Sequence, residues 1–282
     1  MPILYSGKKE RSAQRTGSAT RERTSHMPQI LAAGRIFEAE AILFDKDGTL
    51  LDFVHTWGAW ARHMKQHFSD KLEERGLEPL SLEELGNEWG ISFSKDGKAE
   101  SYDRSGPLSM GTLHELLALL SACGYRRGLS WADARVAVHE SWQHADRELD
   151  RERAALALPG VTELLDACRA AGIPMAVVTA DETIAAVKHL SWLGLDGHFG
   201  EIIGTDLVER GKPYPDMAEL ACRRMGLDIS KVVIIGDSNG DMLMAKAAGA
   251  AAAIGLAAGE AALQLPDADV VAASCEDIRL LP

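Results

Sequence analysis

Cysteine is scarce in this sequence. The 282 residues include only four cysteines, and no two of them form a C-x-x-C pair. They are Cys123, Cys168, Cys222 and Cys275. This spacing matches neither a disulfide framework nor a common zinc motif. We therefore expect four buried thiols, a reducing compartment and a cytoplasmic location.

Long hydrophobic runs and an excess of positive charge are also missing. The longest weakly polar run, residues 247–258, is rich in alanine and glycine and falls short of the roughly 18 apolar residues that span a membrane. The formal net charge is -12 at pH 7, whereas proteins that bind nucleic acids are usually basic. We therefore expect neither a membrane nor a nucleic acid as a partner; a monomer and a homodimer both remain open.

The first 40 residues differ in composition from the rest of the chain. Lysine and arginine outnumber the acidic residues there, and no apolar period is present. The segment lacks the apolar core of a secretory signal, and Glu10 and Glu22 argue against a transit peptide. We predict a disordered tail over residues 1–40, with Met27 as an alternative start of the globular protein.

Two aspartates follow a short apolar segment. The uncharged residues 41–44 predict a fully buried parallel strand, and Asp45, Asp47 and Gly48 come directly after it. Ligands of open α/β sheets bind at this end of a strand. Two carboxylates so close repel unless a cation offsets their charge, and oxygen ligands suit Mg²⁺. The pair suits attack on phosphorus and proton transfer; the simpler alternative is an Asp-Gly turn that closes a hairpin.

Two later segments carry groups that suit phosphoryl oxygens. Thr179 and Ala180 follow the predicted strand 175–178, where a hydroxyl and the backbone N–H groups at the start of a helix favour an anion. Lys212 lies between a glycine and a proline, so a stiff loop holds its ammonium. Such a cation can neutralise charge that develops on a phosphoryl group.

A fourth segment adds two more carboxylates. Four β-branched residues at 232–235 predict a strand, and Asp237 follows it, with Asp241 one helical turn further on. If this strand neighbours the first one, Asp237 supplies another metal oxygen beside Asp45. Asp241 would then lie in a second layer, where it holds Lys212 or a metal-bound water.

Together these segments resemble the motifs of the haloacid dehalogenase-like hydrolase superfamily. In chain order they are Asp45-Lys46-Asp47-Gly48-Thr49-Leu50, Val177-Val178-Thr179-Ala180, Gly211-Lys212-Pro213 and Gly236-Asp237-Ser238-Asn239-Gly240-Asp241. The resemblance covers the chain from about residue 41 to the C-terminal end. It implies an α/β fold, with a doubly wound parallel sheet in a Rossmann-like core.

The resemblance also implies a role for each candidate residue. Asp45 would be the nucleophile that forms an aspartyl-phosphate, and Asp47 would be the acid and base. Mg²⁺ would be held by Asp45, Asp237 and the backbone carbonyl of Asp47, with Asp241 in the second shell. The groups that would bind the phosphoryl oxygens are Gly48, Thr179, Ala180 and Lys212.

The segment between the first two motifs is predicted to be helical, because apolar residues recur in it at three- and four-residue spacing. The resemblance gives this insert, residues 53–158, the place of an all-helical C1-type cap that closes over the site. Residues 41–52 and 159–282 would form the core. An arginine of the cap could meet a distant anionic group of the substrate, and we expect Arg126 or Arg127 in that role.

The function implied is that of a Mg²⁺-dependent phosphatase that acts on a small phosphomonoester, similar to phosphoglycolate phosphatase. Asp47 separates this reading from haloacid dehalogenation, because the dehalogenases lack that residue and need no Mg²⁺. A phosphomutase similar to β-phosphoglucomutase shares the cap type and both aspartates, so it stays an alternative. A non-catalytic binding protein on the same scaffold is a third. Lys46 departs from the apolar residue that many relatives have between the two aspartates.

Overall fold

The computed structural model describes residues 27–281. The predictions for residues 1–26 lie outside the described residues. The strands are β1 (Gln29–Ala32), β2 (Arg35–Glu38), β3 (Ala41–Phe44), β4 (Ile91–Phe93), β5 (Ala99–Tyr102), β6 (Met175–Val178), β7 (Glu201–Ile203), β8 (Val232–Gly236), β9 (Ala252–Leu256), β10 (Val270–Ala272) and β11 (Ile278–Leu281). The helices are α1 (Phe53–Glu73), α2 (Leu82–Trp89), α3 (Pro107–Met110), α4 (Leu113–Arg126), α5 (Trp131–Glu152), α6 (Val161–Ala171), α7 (Thr183–Trp192), α8 (Asp216–Met225) and α9 (Asn239–Ala248).

A six-stranded parallel sheet forms the core of the protein. Its strand order is β10-β9-β8-β3-β6-β7, and every neighbouring pair is parallel. Alternate residues of β3 pack into two different apolar clusters, Ile42 and Phe44 in one and Ala41 and Leu43 in the other. Both faces are therefore covered, as expected for a sheet whose strands are joined by helices. The predicted α/β class with a doubly wound parallel sheet is confirmed.

A second, three-stranded sheet corrects the N-terminal boundary. Strands β1 and β2 form a hairpin, and β1 also pairs antiparallel with β11 from the C-terminal end. Ile30 and Ala32 are fully buried in the same cluster as Ile42. The prediction of a tail over residues 1–40 is therefore wrong for residues 29–38. A four-residue strand offers only two inward side chains, too few to show a period, and its partner β11 lies far away in the sequence.

The insert has its own apolar core, built mainly from α1, α4 and α5. Trp60 and Trp89 stack inside it with ring centroids 5.3 Å apart. The prediction of an all-helical insert is wrong in one place, because β4 and β5 pair as an antiparallel hairpin. Gly97 takes a φ of 79° between these strands, a conformation that glycine adopts without strain.

Hydrogen bonds tie the two connections of the insert to each other. The Asp52 N–H donates to the Leu156 carbonyl at 2.8 Å, and the Leu158 N–H donates to the Leu50 carbonyl at 3.0 Å. The chain therefore leaves and re-enters the core beside the loop that carries Asp45.

All four cysteines are buried and free, as predicted. Within residues 27–281, none of the helices is long and apolar enough to cross a membrane.

Candidate active site

Three of the predicted motifs meet at the carboxyl ends of the central strands. Strand β3 pairs with β8 on one side and β6 on the other, with Phe44 opposite both Ile235 and Val177. The residues that follow these strands are therefore neighbours, and Asp45, Thr179 and Asp237 lie at this edge and are all buried. The Asp45 N–H donates to the Ile235 carbonyl at 2.8 Å, which fixes the start of the loop.

Lys212 of the remaining motif reaches into the same edge. Its ammonium forms ion pairs with Asp45 and with Asp241, the latter at 2.6 Å. Burial lowers the pKa of Lys212, but Asp241 and Asp45 outweigh that effect and hold the pKa above its ordinary value. Lys212 is therefore charged at neutral pH. The expectation that Asp241 contacts this lysine agrees with the geometry.

Asp241 is positioned by the start of α9. Its Oδ2 accepts hydrogen bonds from the Ser238 hydroxyl at 2.6 Å and the Ser238 N–H at 3.1 Å. These contacts form a capping box, a local arrangement that satisfies N–H groups at a helix start. Ser238, rather than Asn239, is thus the cap, since the Asn239 amide bonds to Asp267. The box leaves Asp241 Oδ1 facing the site.

Three carboxylates fit a divalent cation. Asp45, Asp237 and Asp241 each offer an oxygen, and these atoms lie within 4.8 Å of one another. Burial raises the pKa of Asp45 well above its usual range and that of Asp237 to about 6, because three buried carboxylates carry more negative charge than nearby cations offset. Asp241 Oδ1 lies 2.6 Å from the Lys212 ammonium, so Lys212 offsets part of this charge. A hard cation with oxygen ligands would offset the remaining negative charge, and the place of Asp241 in the second shell stays a prediction.

Gly48 keeps the space beside these carboxylates open. Its φ is 85°, in the region that favours glycine. A Cβ built on it would overlap the Asp237 carboxylate and the Tyr102 hydroxyl. The Gly48 N–H donates to the Leu51 carbonyl at 2.7 Å, so it is used within the loop rather than turned toward a phosphoryl group. The glycine thus contributes space, and not the N–H contact that its predicted binding role would use.

Asp47 lies on the other side of the loop and lines a cavity. Its Oδ2 is 2.8 Å from the Lys46 ammonium, and its side chain is 11% exposed. Burial raises the pKa of Asp47, although Lys46 opposes this. Within the described part of the chain, Asp47 Oδ1 is buried without a hydrogen-bond partner. Lys46 therefore holds the Asp47 carboxylate at the edge of the cavity.

The cavity lies between the insert and the sheet edge and has a volume of about 90 Å³. By the rule that one water needs about 10–15 Å³ of such space, it holds several waters. Its floor is made of reactive groups from all four motifs, and Thr179 and Ala180 line it beside them. Its wall from the insert is mainly apolar, with Phe53, Trp57, Trp60, Leu108, Leu113 and Trp142.

The arginine predictions for the insert are wrong. Arg126 forms an ion pair with Glu88, and Arg127 pairs with Glu84. All four residues belong to the insert, and neither arginine lines the cavity. Arg126 is the last residue of α4 and Arg127 caps it, and nearby glutamates of the insert pair with both. Their sequence position in a glycine-bounded turn gave no information on which way the turn faces.

Arg104 is the arginine that reaches the site, and sequence reasoning missed it. It contacts the Asp237 carboxylate and donates to the Asp237 carbonyl at 2.9 Å. The Tyr102 hydroxyl donates to the same carboxylate at 2.5 Å. Both residues come from β5 and the loop after it, so the unpredicted hairpin places them. The signal available was the polar, glycine-rich composition of residues 95–111, which is typical of a loop but singles out no residue in it.

Comparisons with known proteins agree with this geometry. A family model described as haloacid dehalogenase-like hydrolase matches residues 39–249. Phosphoglycolate phosphatase of Neisseria meningitidis serogroup A is 30% identical over 214 residues, which are 76% of this chain and 79% of that protein. A probable phosphatase, IndB of Dickeya dadantii, is 37% identical over 138 residues, or 48% of this chain; the chain covers 60% of that relative, less than two thirds of its length.

A solved structure extends the likeness to the fold. The crystal structure of a predicted phosphoglycolate phosphatase from Haemophilus somnus aligns with a TM-score of 0.63 and 22% identity, covering 85% of this chain and 96% of that one. The family model and the relatives named as phosphatases confirm the predicted enzyme class. The chain belongs to the haloacid dehalogenase-like hydrolases.

Proposed function

We propose that the protein is a Mg²⁺-dependent phosphatase that hydrolyses a small phosphomonoester through an aspartyl-phosphate on Asp45. The observation that carries this proposal is the position of Asp45, which lies at the floor of the cavity in contact with Lys212. It stands beside the carboxylates of Asp237 and Asp241. No simple structural role needs three buried carboxylates and a lysine around a cavity.

The reaction would proceed in two halves. Asp45 attacks phosphorus, forming an Asp–O–P bond while the bond to the ester oxygen breaks, and Asp47 gives a proton to that oxygen. Asp47 then takes a proton from a water that attacks the aspartyl-phosphate, which frees phosphate and restores Asp45. Lys212 and the Thr179 hydroxyl hold the phosphoryl oxygens, and the N-terminal end of α7 favours their charge.

The carboxylates of Asp45 and Asp237 and the backbone carbonyl of Asp47 would hold Mg²⁺, with Asp241 beside them. Bound there, the ion supplies positive charge that offsets the phosphoryl oxygens and the attacking carboxylate. Asp237 must lose its proton for this role, so its raised pKa favours ion binding above a pH of about 6. Arg104 contacts the same carboxylate and would have to share it.

The substrate class follows from the relatives and the cavity. A relative that covers most of this chain is named phosphoglycolate phosphatase, and this supports a small phosphomonoester similar to phosphoglycolate. The small cavity also favours a small substrate. A phosphomutase would use the same residues as far as the aspartyl-phosphate and would then pass the phosphoryl group to a second hydroxyl. Lys212, Asp237 and Asp241, which surround Asp45, favour catalysis over a binding protein without catalysis.

Phosphate release from a panel of phosphomonoesters tests the proposal, measured with Mg²⁺ and with EDTA for the wild type and Asp45→Asn. We expect Mg²⁺-dependent release that Asp45→Asn abolishes. Asp166→Asn on α6 is the matched control, because that carboxylate is half exposed and its ion-pair partners within residues 27–281 are Arg169 and His198.

Three results would count against the proposal. Full activity in Asp45→Asn would exclude this nucleophile. Transfer of the phosphoryl group to a sugar phosphate without phosphate release would favour the mutase. A folded wild type that neither releases nor transfers phosphate, with any ester, would favour a binding protein.

A further inference from the structure

Lys46 lies inside the protein, between the two aspartates of the first motif. Its side chain is fully buried, and its ammonium is 2.8 Å from Asp47 Oδ2 and 2.9 Å from Asp181 Oδ2. The ammonium also lies 3.1 Å from His189 Nδ1 and 5.7 Å from the centre of the Trp57 ring. It therefore joins the first-motif loop to the loop after β6, to helix α7 and to the first helix of the insert.

A buried ammonium needs an explanation. Its removal from water costs free energy that only close partners offset. Asp47 and Asp181 provide two such partners within 3 Å. An apolar side chain of similar length would fill the same space without that cost. Packing alone therefore does not account for a lysine at this position, and its charge acts on the groups that it contacts.

The two oxygens of Asp47 have different surroundings. Oδ2 lies 2.8 Å from the Lys46 ammonium, whereas Oδ1 is buried within the protein. Asp47 lines the cavity, next to Asp45 and Thr179. A carboxylate that an ion pair fixes keeps a defined orientation at the cavity, which is what proton transfer at a reacting atom needs.

We infer that Lys46 is a positioning residue for proton transfer: anchored by Asp181 and His189, its ammonium holds the Asp47 carboxylate in one orientation at the cavity, where the ester oxygen would bind. The inference rests on the proposed function, in which Asp47 first protonates the leaving alcohol and then takes a proton from water. Because Asp47 acts in both halves of the reaction, a misplaced carboxylate slows both. Phosphoryl binding by Lys212 and Thr179 is left intact.

Esters with different leaving groups separate this role from a structural one. The ethyl phosphate alcohol leaves poorly without a proton, whereas 4-nitrophenolate leaves readily without one. The parameter kcat/KM covers steps up to ester cleavage. We expect Lys46→Met to lower kcat/KM for ethyl phosphate about tenfold more than for 4-nitrophenyl phosphate. This is smaller than the roughly 10²–10⁴-fold rate increase that a general acid supplies, because the acid is still present but misplaced. Asp47→Asn should show the same bias more strongly.

The second half of the reaction gives an independent readout. With 4-nitrophenyl phosphate, Lys46→Met cleaves the ester at a nearly normal rate but hydrolyses the aspartyl-phosphate slowly. We therefore expect rapid release of about one nitrophenolate per enzyme, followed by a slower steady state. Quench experiments with the labelled ester would show more phosphate bound to the Lys46→Met protein than to the wild type.

Two further variants complete the test. Lys246→Met on α9 is the matched control, because its half-exposed ammonium pairs with Asp267 away from the cavity; it should leave the ratio of the two esters unchanged. Asp181→Asn removes the charge of one anchor of Lys46 but keeps an oxygen for the Glu182 N–H that Asp181 Oδ1 now accepts. It should change the ratio of kcat/KM for the two esters in the same direction by a smaller factor. If Lys46→Met does not fold, Asp181→Asn tests the inference instead.

If Lys46→Met leaves the ratio of kcat/KM for the two esters unchanged, whether or not both values fall, the inference is overturned while the proposed function stands. Circular dichroism and thermal melting accompany each variant, so that a loss of folded protein is seen separately. A wild type that hydrolyses neither ester in the presence of Mg²⁺ would overturn the proposed function and this inference with it.

Discussion

Two buried lysines contact different carboxylates of the site. Lys212 contacts Asp45 and Asp241, and Lys46 contacts Asp47 together with a second carboxylate. Residues two positions apart in the first-motif loop thus point to different cations. The group proposed as nucleophile and the group proposed as acid and base are held separately, so a change at one lysine leaves the contacts of the other in place.

His189 gives a prediction at the scale of one residue. Burial, with Lys46 and Lys188 nearby, lowers its pKa to about 2, whereas a histidine in an unfolded chain has a pKa of about 6.5. Between these values the unfolded state binds one proton more than the native state, so stability falls as the pH drops below about 6.5. We expect His189→Gln to reduce this decline by about 1.4 kcal/mol per pH unit between pH 6 and pH 5.

Urea denaturation at several pH values measures the slope. His114→Gln is the control, because His114 is exposed on α4 and lies in no buried contact of the site. Parallel curves for the wild type and His189→Gln would show that the buried imidazole does not set the acid response.

Helices α1 and α5 contribute residues to the wall of the cavity on the side of the insert. Asp146 is the carboxylate that α5 places in this wall. Its Oδ1 accepts a hydrogen bond from the Trp60 indole at 2.8 Å, and burial raises its pKa. The nearest lysine in the lining, Lys188, is already paired with Asp150 at 2.5 Å. The wall therefore offers little to a substrate carboxylate.

Asp146→Asn tests this wall. When Asp146 is ionised it repels the carboxylate of phosphoglycolate, whereas ethyl phosphate has no charge at that end. We expect the variant to raise kcat/KM for phosphoglycolate relative to ethyl phosphate by about fivefold at pH 8, corresponding to roughly 1 kcal/mol of like-charge repulsion. Asparagine keeps an acceptor for Trp60. Asp133→Asn, exposed at the start of the same helix, should not change the ratio, and no change in Asp146→Asn would show that the wall does not sense charge.

At the scale of the whole molecule, three apolar clusters hold the protein together. Two lie on the two faces of the central sheet and the third fills the insert. The small sheet of β11, β1 and β2 closes one side of the core, joining residues near both ends of the described chain. The hairpin of β1 and β2 is thus part of the core rather than an appendage.

Two isoleucines of this hairpin test that view. Ile30 on β1 is fully buried, whereas Ile36 on β2 is 56% exposed. We expect Ile30→Ala to lower the free energy of unfolding by about 2–5 kcal/mol and Ile36→Ala by about 0.5 kcal/mol or less. Urea denaturation measures both. Equal losses would mean that the hairpin does not pack against the core as the structure has it.

Much of the site could be predicted because its residues follow strands. Asp45, Thr179 and Asp237 each come directly after a run of apolar residues, and parallel strands bring their carboxyl ends to one edge. Lys212 was found by its stiff loop and by the family motif. Arg104 could not be found in this way, since its position depends on a short hairpin whose partner strands have no clear period.

The sequence by itself determined the fold class, the family and the set of reactive side chains, because strand periodicity and the motifs are local properties of the chain. Only the tertiary structure decided which arginine faces the site, that Asp241 lies close to Asp45 and Asp237, and that the hairpin of β1 and β2 belongs to the core. It also showed that Lys46 is buried against Asp47 and Asp181. These features depend on contacts between residues far apart in the chain, and such contacts leave no pattern in either segment alone.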